Sequence, residues 1–238
     1  MNTTIKINNE NLANYVMFKL NKSRNEFTQE ELNEISEIVI DYRDEDESGF
    51  VFLEELKKLN VLKSITLRYG FIYNDNYNIF SCLKSLSEIV FDNCEFEDED
   101  LITSLNINNL SLINCNIVNY DFIDSLDDLS ELTIVNGNVK FSKINNLNKL
   151  RYLQLSYSNI IDVFDNNALN VSSIEELYID NTNINSFSFL NNMPKLKKIS
   201  IDSKQYQTNK KLFDSLIKKN ILVYNEDMVL FGGEDLDD

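Results

Sequence analysis

The chain has 238 residues, 43% of them hydrophobic, with a formal charge of −17 and a pI near 4.4. That is ample material for a core, but the charge opposes nucleic acid and anionic membrane surfaces, which are met by basic faces. The composition leaves a protein or peptide as the expected partner, a basic one by charge.

No stretch of apolar residues is long enough to span a bilayer, and the start, MNTTIKINNEN, lacks the basic and apolar regions of a signal peptide. As written, the chain reads as a cytoplasmic monomer. It would be secreted or at the cell surface if a signal peptide had been removed. Cys82, Cys94 and Cys115 are an odd set, which argues against a disulfide framework. The chain has no histidine and shows no P-loop, G-x-S-x-G or H-E-x-x-H motif, so no enzymatic activity and no cofactor are expected.

Taken in order, Asn9 to Leu20 carries Leu12, Tyr15, Val16 and Leu20 at helical spacing. Thr28 and Glu31 in FTQEEL have the spacing of a capping box and predict a second short helix. The segment Asp44–Glu55, DEDESGFVFLEE, matches an EF-hand loop. Asp44, Asp46 and Ser48 fall at ligand positions one, three and five, Gly49 at the turn and Glu55 at position twelve. Against this, Arg43 precedes the loop, no second hand follows, and Leu53, Leu56, Leu59 and Leu62 continue a three-residue apolar step. An acidic surface loop is the preferred reading and a Ca²⁺ site the alternative.

From Leu62 a repeat dominates. Units begin at 62, 86, 107, 129, 150, 174 and 196, with apolar residues at positions one, four, six and eleven, as in Ile174, Leu177, Ile179 and Ile184. Ile35, Ile38 and Ile40 form a degenerate earlier copy. Positions four and six alternate with polar neighbours, as a strand with one buried face requires. Beyond position eleven the apolar residues come every three, as in Ile117, Tyr120, Ile123 and Leu126, which suits a tight 3₁₀-like return. One unit cannot bury this face alone, so neighbouring coils must stack.

Positions three, five, seven and eight then face the concave side of the sheet. Val90, Ile113, Val135, Tyr152, Tyr157 and Tyr178 form a partly apolar, aromatic patch there, bordered by Asp92, Glu131, Glu176 and Asp180. Exposed tyrosines combine contact area with a polar tip, which marks binding surfaces, although β-propensity alone also places Val, Ile and Tyr on strands. Past Lys204, Leu212, Phe213, Leu216 and Ile217 share one helical face, Ile221 to Tyr224 can add an extended segment, and GGEDLDD is a short acidic tail.

The repeat resembles the leucine-rich-repeat family, in its bacterial internalin-like and SDS22-like class, over Ile35 to Lys204. Position nine, often Asn in that family, is Gly70, Cys94, Cys115, Gly137, Ser158, Thr182 and Lys204 here, so a continuous buried Asn ladder is not expected. The resemblance implies an α/β fold: a right-handed solenoid with a short parallel sheet on its concave face. It also implies a helical cap over residues 1–34, seven to eight coils over 35–204 and a C-terminal cap with acidic tail over 205–238. The function expected is non-catalytic protein binding. The alternatives are a Ca²⁺-responsive regulator working through Asp44–Glu55, or an exported internalin-like host-factor binder or adhesin.

Overall fold

The structure is a computed structural model and describes residues 4–43, 54–72, 77–98, 102–103, 105–162, 169–225 and 228–230. The chain divides into two compact units, Met1–Ile107 and Asn108–Asp238.

In the first unit, helix α1 (Glu10–Lys19) starts where the Asn9 side chain accepts the Leu12 N–H. It ends at Asn21, which is left-handed, with the Lys22 N–H returning to the Met17 carbonyl at 2.8 Å. Helix α2 (Gln29–Leu32) carries the capping box that the Thr28 and Glu31 spacing predicts. Strand β1 (Glu37–Asp41) pairs parallel with β2 (Ser64–Arg68), which pairs parallel with β3 (Glu88–Asp92) after helix α3 (Tyr77–Cys82). Ile38, Ile65 and Ile89 share one row of the interior.

The second unit repeats the scheme with more coils. Strands β4 (Asn109–Ile113), β5 (Glu131–Val135), β6 (Tyr152–Gln154), β7 (Glu176–Tyr178) and β8 (Lys198–Ile201) pair in parallel, with helix α4 (Phe141–Ile144) between β5 and β6. Leu132, Leu153, Leu177 and Ile199 form one fully buried row. At roughly 1.5–3 kcal/mol for each buried aliphatic side chain, such rows set stability. The three-residue apolar step forms 3₁₀ turns at Asp121–Ser125 and Ser188–Asn192, but Phe141–Ile144 winds as α-helix. Asp162 caps that helix from the next coil, accepting the Phe141 and Ser142 N–H groups at 2.8 and 3.0 Å.

Parallel pairing continues past Lys204. Two further helices, α5 (Ser203–Thr208) and α6 (Lys210–Ile217), replace the turn, and strand β9 (Leu222–Asn225) pairs parallel with β8. The first of these was hidden because its signal is polar, an Asp202–Gln205 capping box. Strand β10 (Met228–Leu230) then pairs antiparallel with β9.

The bend after each strand has a uniform backbone solution. Position eight is left-handed in six coils, at Tyr69, Asn93, Asn114, Asn136, Tyr157 and Asn181, with φ between 52° and 60°. Asn tolerates that conformation because its short amide bonds locally; Tyr bears its steric cost. Next to it, position nine supplies donors in place of an Asn ladder. The Cys94 thiol reaches the Leu67 carbonyl at 3.3 Å, and the Ser158 hydroxyl donates to the Ile134 carbonyl at 3.0 Å. In the coil that begins at 196 the donor is one residue later, where the Gln205 amide at position ten donates to the Ile179 carbonyl at 3.0 Å. Cys94 and Cys115 are buried free thiols and Cys82 is exposed; burial pushes the Cys94 thiol above its usual pKa. Gly137 is required by packing, since a Cβ there would collide with Ile134 and stand 2.8 Å from the Tyr120 hydroxyl.

Candidate functional site

The strand register sets the outward side chains of the second unit in rows. One row runs Glu131, Tyr152, Glu176, Lys198 and Leu222, and the next runs Thr133, Gln154, Tyr178, Ser200 and Tyr224. Each alternates with a buried aliphatic residue, so the core fixes which side chains face out.

An aromatic cluster crosses these rows. The rings of Tyr152 and Tyr178 lie 5.1 Å apart, and the Lys198 ammonium sits 5.1 Å from the Tyr178 ring and 4.9 Å from the Tyr224 ring. Ser200, between those two tyrosines in register, is small. The hydroxyls are also held: Tyr152 donates to Gln154 Oε1 and Tyr178 to Glu176 Oε2, both at 2.9 Å, and Lys198 stands 3.7 Å from Glu176.

Burial, with the neighbouring Tyr178 and Glu176, pushes the Tyr152 hydroxyl up to a pKa of about 12. Burial likewise raises Tyr178, with Glu176 adding to it and Lys198 opposing. Lys198 is raised by its bond to Tyr178 and by the charge of Glu176. Near neutral pH the cluster therefore holds neutral phenols around one fixed cation.

At the strand-entry edge, a depression of about 180 Å³ is lined by Ser130, Glu131, Arg151, Tyr152, Glu175 and Glu176. Glu175 accepts from Arg151 at 3.0 Å and Lys197 at 2.6 Å, and those two cations hold its carboxyl at a pKa of about 2. The described residues contain no group of three or more His, Cys, Asp or Glu side chains placed to hold a metal ion. What this surface offers is ring area, hydroxyl tips and a few oriented charges, which is recognition chemistry.

Of the residues singled out in the sequence, Glu131, Tyr152, Glu176 and Tyr178 come together in this cluster. Ile113 and Val135 are paired and half-buried at the far ends of β4 and β5. Val90 and Asp92 belong to the first unit, where Val90 pairs with Thr66 and Asp92 lies 3.6 Å from Arg68. Tyr157 is 54% exposed in the left-handed bend, its N–H on the Asp180 carbonyl at 3.0 Å.

Asp180 corrects the expectation of an exposed border residue. It is only 7% exposed and accepts the Ser156 hydroxyl at 2.9 Å. The cause is strand length. Strands β6 and β7 end at position five, so position seven lies in the turn and no longer follows the alternation that keeps Val135 on the face of the longer β5. Lys198 and Tyr224 are members that sequence reasoning left out. Leu222 stands 24 residues after Lys198, within the repeat's own range of steps, and that offset could have placed Tyr224.

Asp44, Asp46 and Ser48 lie outside the described residues. The carboxylate of Glu55 accepts the Asn8 N–H at 2.8 Å and Lys58 at 2.6 Å. Partial burial works to raise its pKa, but these hydrogen bonds outweigh it and leave the carboxyl below its usual range.

No protein-family model matches the sequence, and no curated protein matches it either. Solved structures do. Internalin C2 from Listeria monocytogenes str. 4b F2365 is similar with a TM-score of 0.68 at 20% identity, over 91% of this chain and 92% of that one. The internalin-like protein lmo2027 from L. monocytogenes is similar at 0.56 and 16% identity, over 82% of this chain and 61% of that one. InlP from L. monocytogenes gives 0.55 and 14%, over 82% and 64%. The fold is thus the α/β leucine-rich-repeat fold found in the internalins.

Proposed function

We propose, from a leucine-rich-repeat fold with an ordered aromatic cluster on its open strand face, that this chain is a non-catalytic protein-binding module. The partner is a protein or peptide gripped on the concave side. Tyr152, Tyr178 and Tyr224 supply contact area, and Glu131, Glu176 and Lys198 set polarity and register. The observation that carries this reading is the pre-ordering of the tyrosines: stacked rings and engaged hydroxyls leave little side-chain entropy to lose on binding. Val90, Asp92, Ile113, Val135 and Tyr157 are proposed as secondary contacts, and the binding species as a monomer.

The test is affinity capture from native lysate with the wild-type chain and with Tyr178→Glu, followed by mass spectrometry. Specific partners should be lost with Tyr178→Glu while its melting temperature stays near wild type. Retention of the same partners by the variant would sink the assignment of this face. The internalin-like likeness favours an exported binder as the second reading, tested by looking for a signal peptide upstream of Met1 in the genomic sequence. A Ca²⁺-responsive role for Asp44–Glu55 is the weaker alternative, because Glu55 is already engaged by Asn8 and Lys58; calorimetric titration with Ca²⁺ decides it.

A further inference from the structure

The net charge conceals an uneven distribution. Over residues 108–238, twelve lysines and arginines stand against eighteen aspartates and glutamates, six of them after residue 225, yet residues 195–219 hold eight lysines against two aspartates. Both aspartates have local duties. Asp202 accepts the Gln205 N–H at 2.8 Å and the Asn181 N–H at 3.0 Å, while Asp214 accepts the Tyr206 hydroxyl at 2.9 Å.

Elsewhere in the second unit the basic side chains are paired: Lys140 and Lys143 with Asp121 and Asp124, Lys149 with Asp128, and Arg151 and Lys197 with Glu175. Lys195, Lys204, Lys211, Lys218 and Lys219 are exposed and carry no side-chain hydrogen bond or ion pair among the described residues.

Three of these five stand at the strand-entry edge. Strands β8 and β9 pair at Lys198 and Leu222; Lys195 precedes the first by three residues, and Lys219 precedes the second by three, with Lys218 beside it. The stacking continues just ahead of the strands, where the Leu222 N–H meets the Lys197 carbonyl at 2.9 Å and the Lys197 N–H meets that of Glu175 at 2.7 Å. Glu175 serves two cations at once, so this rung keeps a surplus positive charge. Lysines in excess of the carboxylates paired with them among the described residues stabilise an incoming anion more than they stabilise the fold.

We infer that this lysine rim at the strand-entry edge of β8 and β9 is a docking surface for an acidic stretch of a protein partner. It is separate from the tyrosine cluster and does not depend on that reading. Charges spread over two neighbouring coils suit an extended segment bearing several carboxylates rather than a single small anion. A long uniform polyanion such as nucleic acid is disfavoured by the formal charge of −17 on the whole chain.

The experiment is fluorescence anisotropy of a fluorescein-labelled oligoglutamate peptide titrated with the full-length chain, with a heparin oligosaccharide as the comparison ligand. Saturable binding to oligoglutamate is expected at low ionic strength, fading as added salt shortens the screening length to about 10 Å and below. The variant K195E/K218E/K219E should bind roughly tenfold more weakly or worse. Tyr178→Ala should bind as wild type, which separates this rim from the tyrosine cluster. The neutral set K195Q/K218Q/K219Q repeats the comparison should charge reversal disturb folding, which circular dichroism reads. No saturable binding, binding that neither triple variant weakens, or binding of heparin without oligoglutamate would each overturn the inference.

Discussion

Replacing Ser158 by alanine is the sharpest probe of how the coils are held. Its hydroxyl is 2% exposed and has two roles, donating to the Ile134 carbonyl at 3.0 Å and accepting the Gly137 N–H at 3.1 Å. Alanine fits the space but leaves both backbone groups without this partner in a site closed to water. A buried polar group deprived of its hydrogen bond costs about 1–3 kcal/mol, so losing both contacts should destabilise the second unit by roughly 2–4 kcal/mol. With urea slopes of about 1–3 kcal/mol per molar, the unfolding midpoint should fall by roughly 1–2 M. Ser158→Cys should lose less, because a thiol already does this work at Cys94. Urea titration followed by far-UV circular dichroism measures both. An alanine variant with an unchanged midpoint and slope would refute the claim that position-nine donors secure the bend.

Tyr157→Asn should raise stability by about 0.5–1 kcal/mol, since the bend keeps it left-handed and Asn bears that conformation at lower cost; a thermal melt reads the gain. Gly137→Ala should destabilise by about 1–3 kcal/mol through overpacking against Ile134 and Tyr120, visible as a lower melting temperature. Glu175 has a folded pKa of about 2, below its ordinary 4.5. Its contribution to stability is therefore complete above about pH 4.5 and is lost as pH falls toward 2. Melting temperatures across that window should decline less steeply in Glu175→Gln than in wild type; parallel slopes would contradict the pairing with Arg151 and Lys197.

The buried rows were legible because burial writes its period directly into the sequence: Leu132, Leu153 and Leu177 align in the structure as their spacing requires. The left-handed bends were also written there, as Asn93, Asn114, Asn136 and Asn181, although Tyr69 and Tyr157 at the same position obscure the column. The open face was harder to read. Outward positions obey no period of their own, and alternation holds only while the strand lasts, so Asp180 fell into a turn and became buried. Tyr224 was missed for the opposite reason: the helix and the extended segment at Ile221 to Tyr224 were expected, but as a closing cap, so the register of that segment with β8 went unused.

Three of the bend donors reach across to a neighbouring coil, while Cys115 and Thr182 donate within their own. Cys94 reaches Leu67, Ser158 reaches Ile134 and Gln205 reaches Ile179, in each case a carbonyl belonging to the coil before. Each of these three carbonyls gains its side-chain partner only once the following coil is in place. A form cut back to end just after Ile134 or Ile179 would exchange that side-chain bond for one to water.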